Sequence, residues 1–306
     1  MNSPCQTAAT NPTTPLLSDR AKGFLAASGV VLCWSGFNIV SRYGSTGTFT
    51  PYDLAALRFG VSGLLAWPFF FRLAHREDWL KYVVLALLGG IGYGVLVYSG
   101  FAHAPTAHAA IFVNGGIPFW TVLILTALAG FHIPRGVLLA LLISLSGIVL
   151  IAWESVFVSR GGGQWLGDLL FLVAALTWAI FGILMRRWKI QPTVAITGVA
   201  VISLALYLPA YLLFLPKAIA SAPAGAIALQ CFYQGFIAAL CAGWMYSYAN
   251  HKIGSGPASM MLALVPGLSA MGGALLLGEH LSLTAMLGIL IVSGGAILGA
   301  LANRQG

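Results

Sequence analysis

Residues 266–300 read "PGLSAMGGALLLGEHLSLTAMLGILIVSGGAILGA", and moved back by 148 positions they fall on 118–152, "PFWTVLILTALAGFHIPRGVLLALLISLSGIVLIA". Ten of the thirty-five positions are identical, among them Pro118 on Pro266, Gly130 on Gly278, His132 on His280 and Gly147 on Gly295. Apolar alphabets produce chance matches, so the proline and histidine pairs carry most of the weight. An offset of 144 does the same near the other end of each copy. It lays Gly23 on Gly167, Trp34 on Trp178, Phe37 on Phe181 and Arg42 on Arg186, with seven identities in twenty positions. The chain reads as one unit written twice.

What kind of unit follows from composition. Of 306 residues 59% are hydrophobic and 7% charged, and the mean hydropathy is +0.92. A soluble chain carries about a quarter charged residues. Apolar runs long enough to cross ~30 Å of hydrocarbon recur throughout. They fall at 23–42, 52–71, 82–102, 106–128, 134–153, 165–185, 193–215, 225–248, 257–277 and 282–302. These runs do not alternate as barrel strands would, so the expectation is an all-α polytopic membrane protein of ten transmembrane helices.

The formal net charge of +8 would suit nucleic acid, but the placement of the basic residues gives it another meaning. Arg20, Lys22, Arg72, Arg76, Lys81, Arg135, Arg186, Arg187, Lys189, Lys252 and Arg304 share one side of the membrane, and Arg42, Arg160 and Lys217 the other. Such a bias marks the cytoplasmic side. Both termini are therefore expected in the cytoplasm, with the lipid bilayer and not nucleic acid as partner. Residues 1–19, rich in Thr, Pro and Asn, cannot bury a core and read as a disordered cytoplasmic tail. The first repeat then spans 20–156 and the second 157–306. No cleaved signal is expected, nor a disulfide, since Cys231 and Cys241 lie ~15 Å apart along one helix.

Five spans per half is an odd number, so the second copy should enter from the opposite face. Inverted repeats are an architecture of secondary transporters, with a substrate site near the midplane between the halves. Candidate residues follow from what is costly inside a membrane. Arg58 is the one charge placed well within a span and needs a partner or a route to water, with a substrate carboxylate as one option and structural anchoring as another. Asn38 lies one turn after Trp34 and must hydrogen-bond inside the bundle. In "HAPTAHAAIFVNGGIPFW" (103–120), Pro118 frees the carbonyl of Asn114, so the fourth span is expected to be broken or kinked, with Pro266 acting likewise in the ninth. Freed backbone at that depth suits a cavity wall that also accommodates the Asn114 side chain. Pro118 and Pro266 are the gating candidates, and Met260 supplies an adaptable surface. His103 and His108 fall at a span end, where interfacial solvation explains them as well as function, although His108 could line an entrance. Tyr98 and Tyr246 are repeat partners. With Trp34 and Trp178 they could line a pathway for an apolar or aromatic substrate, or form an interfacial belt.

The segments that carry the repeat resemble the EamA-type families of the drug/metabolite transporter superfamily. The matching motifs are "WSGFNIVSR" in the first span, "LAALRFG" in the second, and "PGLSAMGGALLLGEHLS" followed by "LGILIVSGGAILG" in the second half. One departure is that Phe131 stands where its repeat partner is Glu279, so whatever that glutamate does is not duplicated. The overall pattern is most similar to bacterial exporters of aromatic and other neutral amino acids. The resemblance implies export of such metabolites across a bacterial plasma membrane by alternating access. Rival readings are a sugar-phosphate or nucleotide-sugar translocator, which would want more cations at depth, a proton-coupled antiporter, and a membrane-embedded enzyme. No nucleophile and base arrangement, metal-ligand spacing or cofactor motif is visible, so no cofactor or metal is expected. "GGIGYG" at 89–94 follows no strand and reads as helix packing. The acidic residues Asp19, Asp53, Glu77, Asp78, Glu154, Asp168 and Glu279 all fall in the tail, in loops or near span ends. Uncoupled transport is the expectation that follows.

Overall fold

In a computed structural model, which describes residues 18–130, 133–158 and 163–302, the chain forms ten helices long and apolar enough to cross a membrane. They are α1 (Asp19–Thr46), α2 (Pro51–Leu73), α3 (Arg76–His103), α4 (Thr106–Leu128) and α5 (Arg135–Phe157) in one half. The other half contains α6 (Gln164–Arg187), α7 (Pro192–Phe214), α8 (Ala224–Ile253), α9 (Ser255–Leu277) and α10 (Leu283–Ala302). Among the described residues there is no strand. Most of the tail, Arg160 and the paired residues Phe131 and His132 lie outside the described residues.

Local chemistry sets several boundaries. At the start of α2, Pro51 occupies the first turn, where its missing N–H costs nothing, and Thr50 and Asp53 form a capping box. The Thr50 N–H donates to Asp53 Oδ2 at 2.8 Å, and the Asp53 N–H donates to Thr50 Oγ1 at 3.1 Å. Gly130 and Gly278, paired by the repeat, end α4 and α9 in the left-handed conformation, with φ of 61° and 67°. Glycine reaches that region without a Cβ penalty, which gives this identity between the two copies a physical reason.

The repeat also appears in a feature without a hydropathy signature. Both α3 and α8, the third helix of their halves, contain a π-helical segment, Ala86–Gly92 and Cys231–Cys241. In α3 this brings Gly89 against Phe181, where a Cβ would stand 2.6 Å from the ring.

The two prolines behave differently, and of the two outcomes expected for the fourth span, broken or kinked, the break is excluded. α4 is helical across Pro118 and is not broken. Pro118 lies on an exposed face, where a single lost backbone bond is absorbed. α9 is broken between Leu262 and Val265. There the Ala263 and Leu264 N–H groups bond three residues back, to Met260 and Met261, at 3.2 and 3.1 Å. This tight turn ends one helix, and the next begins with Pro266 in its first turn, where the ring is tolerated.

Small residues set a close crossing of α5 against α10. A Cβ on Gly295 would meet Ser144 Oγ at 2.2 Å and the Ala140 carbonyl at 2.9 Å, and one on Gly147 would meet the Gly288 carbonyl at 3.1 Å. Backbone cannot move aside as a side-chain tip can, so this is the close approach that small residues permit in membranes. Gly295→Val is expected to lower the unfolding temperature in detergent by several degrees, in line with overpacking costs of about 1–3 kcal/mol. An unchanged melting curve would count against this packing. Large apolar side chains such as Leu65, Leu142, Phe214, Leu276 and Leu290 project outward from the bundle. In water such a surface would aggregate, whereas a bilayer requires it.

Candidate functional site

α1 organises the interior. Ser35, Asn38, Ser41, Arg42 and Ser45 recur at three- and four-residue spacing and therefore share one helical face. The Asn38 side chain donates to Ser269 Oγ on α9 at 2.9 Å. Gln234 on α8 donates to Ser41 Oγ at 3.0 Å, and Gln230 donates to the Val40 carbonyl at 2.9 Å. Ser45 donates to the Tyr98 carbonyl at 3.2 Å. Each bond satisfies a polar group that would otherwise be costly in an apolar interior.

At the end of the bundle where α1 finishes, these contacts become ionic. Arg42 Nε donates to Glu279 Oε1 at 2.9 Å, and the same guanidinium donates to the Phe101 carbonyl. Glu279 in turn accepts the Thr106 N–H at 3.0 Å. The two charged side chains are only 18% and 13% exposed, so α1, the end of α9 and the α3–α4 corner are tied through one part-buried ion pair. Two further ties lie at the same end. Asp53, fully buried, accepts from Tyr211 at 2.5 Å and from the Ala218 N–H at 3.0 Å. His108 Nδ1 lies 2.8 Å from Asp168 Oδ1. At the opposite end, where α1 begins, the pairs Asp19–Lys252 and Asp78–Lys81 are more open.

This changes the reading of the acidic residues. Asp53, Asp168 and Glu279 stand near helix ends, as their positions in the sequence imply, yet Asp53 and Asp168 are buried in protein and Glu279 is largely covered. The same holds for His108, which is 6% exposed, whereas His103 is exposed.

Between the two ends lies an aromatic group around Arg58. Its guanidinium stands 5.3 Å from the Phe37 ring centroid, and it also lies beside Tyr93 and Tyr98. Phe37 and Tyr98 are 6.1 Å apart, and Tyr93 and Trp178 4.7 Å apart. No carboxylate among the described residues pairs with Arg58. Tyr98 is fully buried and donates to Gln234 at 3.1 Å, while Arg58 and Trp178 are half-buried. Trp34 packs on Tyr246 at 5.6 Å, and the Tyr246 hydroxyl is 3.4 Å from Ser259, on the first segment of α9 that also carries Met260.

The sequence-derived candidates thus fall into separate groups. Arg58, Tyr98 and Trp178 share one, through Phe37 and Tyr93, while Trp34 and Tyr246 form another, and Asn38 bridges α1 to α9. Asn114 turns back onto its own helix, donating to the Ala110 carbonyl at 2.7 Å. His108 belongs to the Glu279 end. Gln230, Gln234 and Ser269 are not among the sequence-derived candidates, and Asp53 and Asp168 enter there only as acidic residues near span ends, although the polar face of α1 is readable as a helical stripe. Among the described residues no group of three or more His, Cys, Asp or Glu side chains could hold a metal ion.

The two halves also match known sequences separately. The EamA-like transporter family matches residues 21–153 and again 165–300. The chain belongs to the EamA-like transporter family. This EamA-like protein is 23% identical over 252 residues to the uncharacterized transporter YyaM of Bacillus subtilis (strain 168), covering 75% of this chain and 77% of that one. It is 30% identical over 197 residues to the uncharacterized transporter YdeK of the same organism, covering 61% and 65%. In fold, the EamA-like chain is similar to a solved crystal structure with a TM-score of 0.62 at 23% identity, over 94% of this chain and 99% of that one. The family and the names of these relatives point to a multi-pass membrane transporter and not to an enzyme.

Proposed function

We propose that this EamA-like transporter exports small neutral metabolites, foremost amino acids including aromatic ones, by alternating access between two inverted halves. The supporting observation is Arg58, a half-buried guanidinium with no carboxylate partner among the described residues, set among Phe37, Tyr93, Tyr98 and Trp178. A cation held away from water without a counter-ion is costly. A substrate carboxylate would supply the missing charge, with the rings taking the side chain. Sugar phosphates fit less well, because a dianion would want several cations at this depth.

The bias of basic residues would place both termini in the cytoplasm of a bacterial cell and the Glu279 end outside. Arg42–Glu279, His108–Asp168 and Asp53–Tyr211 then hold the outer side closed. The carboxylates of Asp53, Asp168 and Glu279 are engaged at that end and not beside Arg58, so the reading retains transport driven by the substrate's own gradient. The test is competition in proteoliposomes. Phenylalanine should compete with labelled substrate, and phenylalaninamide, which lacks the carboxylate, should not. Equal competition by both would contradict a carboxylate at Arg58.

The broken α9 is the hinge in this reading, and α4 is not. Pro266→Ala is therefore expected to change the transport rate several-fold while Pro118→Ala changes it little, both measured as initial uptake per inserted protein. A larger effect at Pro118 would reverse the assignment.

A further inference from the structure

A cavity of about 250 Å³ lies at the Glu279 end between α4, α5, α6 and the start of α10, apart from the Arg58 group. Its polar walls are His108, Glu154, Gln164, His280 and Ser282. His108 is 6% exposed, and its Nδ1 is engaged by Asp168 at 2.8 Å, with Ser155 Oγ 3.5 Å away. An ionised carboxylate can only accept, so the neutral imidazole beside it carries its proton on Nδ1 and has its lone pair on Nε2. Nε2 is the ring nitrogen left for the cavity. Across from it, Glu154 Oε2 accepts from Ser282 Oγ at 3.0 Å, and no Lys or Arg among the described residues pairs with this carboxylate.

Among the described residues the cavity therefore offers the Glu154 carboxylate and the imidazoles of His108 and His280, and no Lys or Arg in its wall. An anionic group would meet Glu154 with no Lys or Arg among the described lining residues to offset it, and an apolar one would strip water from a charge. A group with several N–H donors and a positive charge satisfies the carboxylate and the His108 lone pair at once. We propose that this cavity binds a primary ammonium group, donated to His108 Nε2 and the Glu154 carboxylate, with Asp168 as the positioning residue that fixes the imidazole tautomer. The ammonium could belong to a free amine or to an amino acid, and the second case rests on the export reading above.

The test is titration calorimetry on the full chain in detergent, with 2-phenylethylamine, L-phenylalanine and N-acetyl-L-phenylalanine as probes. The amine is expected to bind, and Glu154→Gln, which keeps the shape and the bond to Ser282, should weaken it at least tenfold. His108→Gln should do the same, and N-acetyl-L-phenylalanine should not occupy the site. Asp168→Asn should weaken the amine and also move the His108 proton to Nε2, visible in the imidazole nitrogen shifts, which a purely structural role would not cause. Phenylalanine binding that is sensitive to Glu154→Gln would identify amino acids as ligands, and amine binding alone would restrict the site to amines. No amine binding, unchanged affinity in Glu154→Gln, or equal binding of the acetylated probe would overturn the proposal. Amine binding by a protein that moves no amino acid would contradict the export reading and leave this site standing, and transport with unaltered Glu154→Gln binding would do the reverse.

Discussion

Glu279→Ala is expected to lower the unfolding temperature more than any other single truncation at this end of the bundle. The change leaves Arg42, 18% exposed, without its counter-charge, and it removes the acceptor for the Thr106 N–H at the start of α4. Removing one partner of a buried pair costs about 3–5 kcal/mol, because the other charge stays desolvated, and the partial exposure here brings the expectation to the lower end. The companion test is the double replacement Arg42→Met with Glu279→Leu. It removes both charges and should be less destabilising than Glu279→Ala alone, since no orphan charge remains. Thermal unfolding in detergent reads both. Coincident curves for wild type and Glu279→Ala would mean that the ion pair does not hold α1, α9 and the α3–α4 corner together.

The second large effect concerns transport. Arg58→Ala should leave the protein folded and inserted but cut uptake efficiency for carboxylate substrates by roughly 100-fold, since truncating one partner of a desolvated charge pair costs about 2–5 kcal/mol. Arg58→Lys keeps the charge and loses the planar fork, so an intermediate loss of about tenfold is expected. The loss should be specific, with phenylalaninamide, which makes no carboxylate contact, affected far less than phenylalanine. An equal loss for both would show that Arg58 anchors α2 and takes no part in recognition.

Much of the architecture was legible because a membrane span declares itself by length and composition, and because the duplication repeats its punctuation. Gly130 and Gly278 end α4 and α9 in the same left-handed turn, and one rule about Cβ explains both. The prolines show where such inference stops. Pro118 and Pro266 are equivalent in the alignment, yet only the second marks a break, because the chain before it tightens at Ala263 and Leu264 while α4 carries Pro118 on an exposed face. The π-helical segments of α3 and α8 left no mark that hydropathy could read. Position along a span also misled about solvation. Asp53, Asp168 and Glu279 stand near helix ends, where water is the default partner, and tertiary packing replaced it with Tyr211, His108 and Arg42. Gln230 and Gln234 passed unnoticed inside the apolar eighth span, although each bonds across to the polar stripe of α1. The missing carboxylate partner of Arg58 is a property of the fold, and no spacing in the sequence could have revealed it.

The central claim is that the chain moves neutral amino acids down their own gradient, and the direct measurement is uptake of labelled phenylalanine into proteoliposomes with and without an imposed pH gradient. The account predicts saturable entry that ends at equal concentrations inside and out, at the same level in both conditions and well above protein-free liposomes. Accumulation above the external concentration that requires the pH gradient and collapses with an ionophore would contradict the uncoupled mechanism. No protein-dependent entry of phenylalanine or of any other neutral amino acid would contradict the substrate assignment itself.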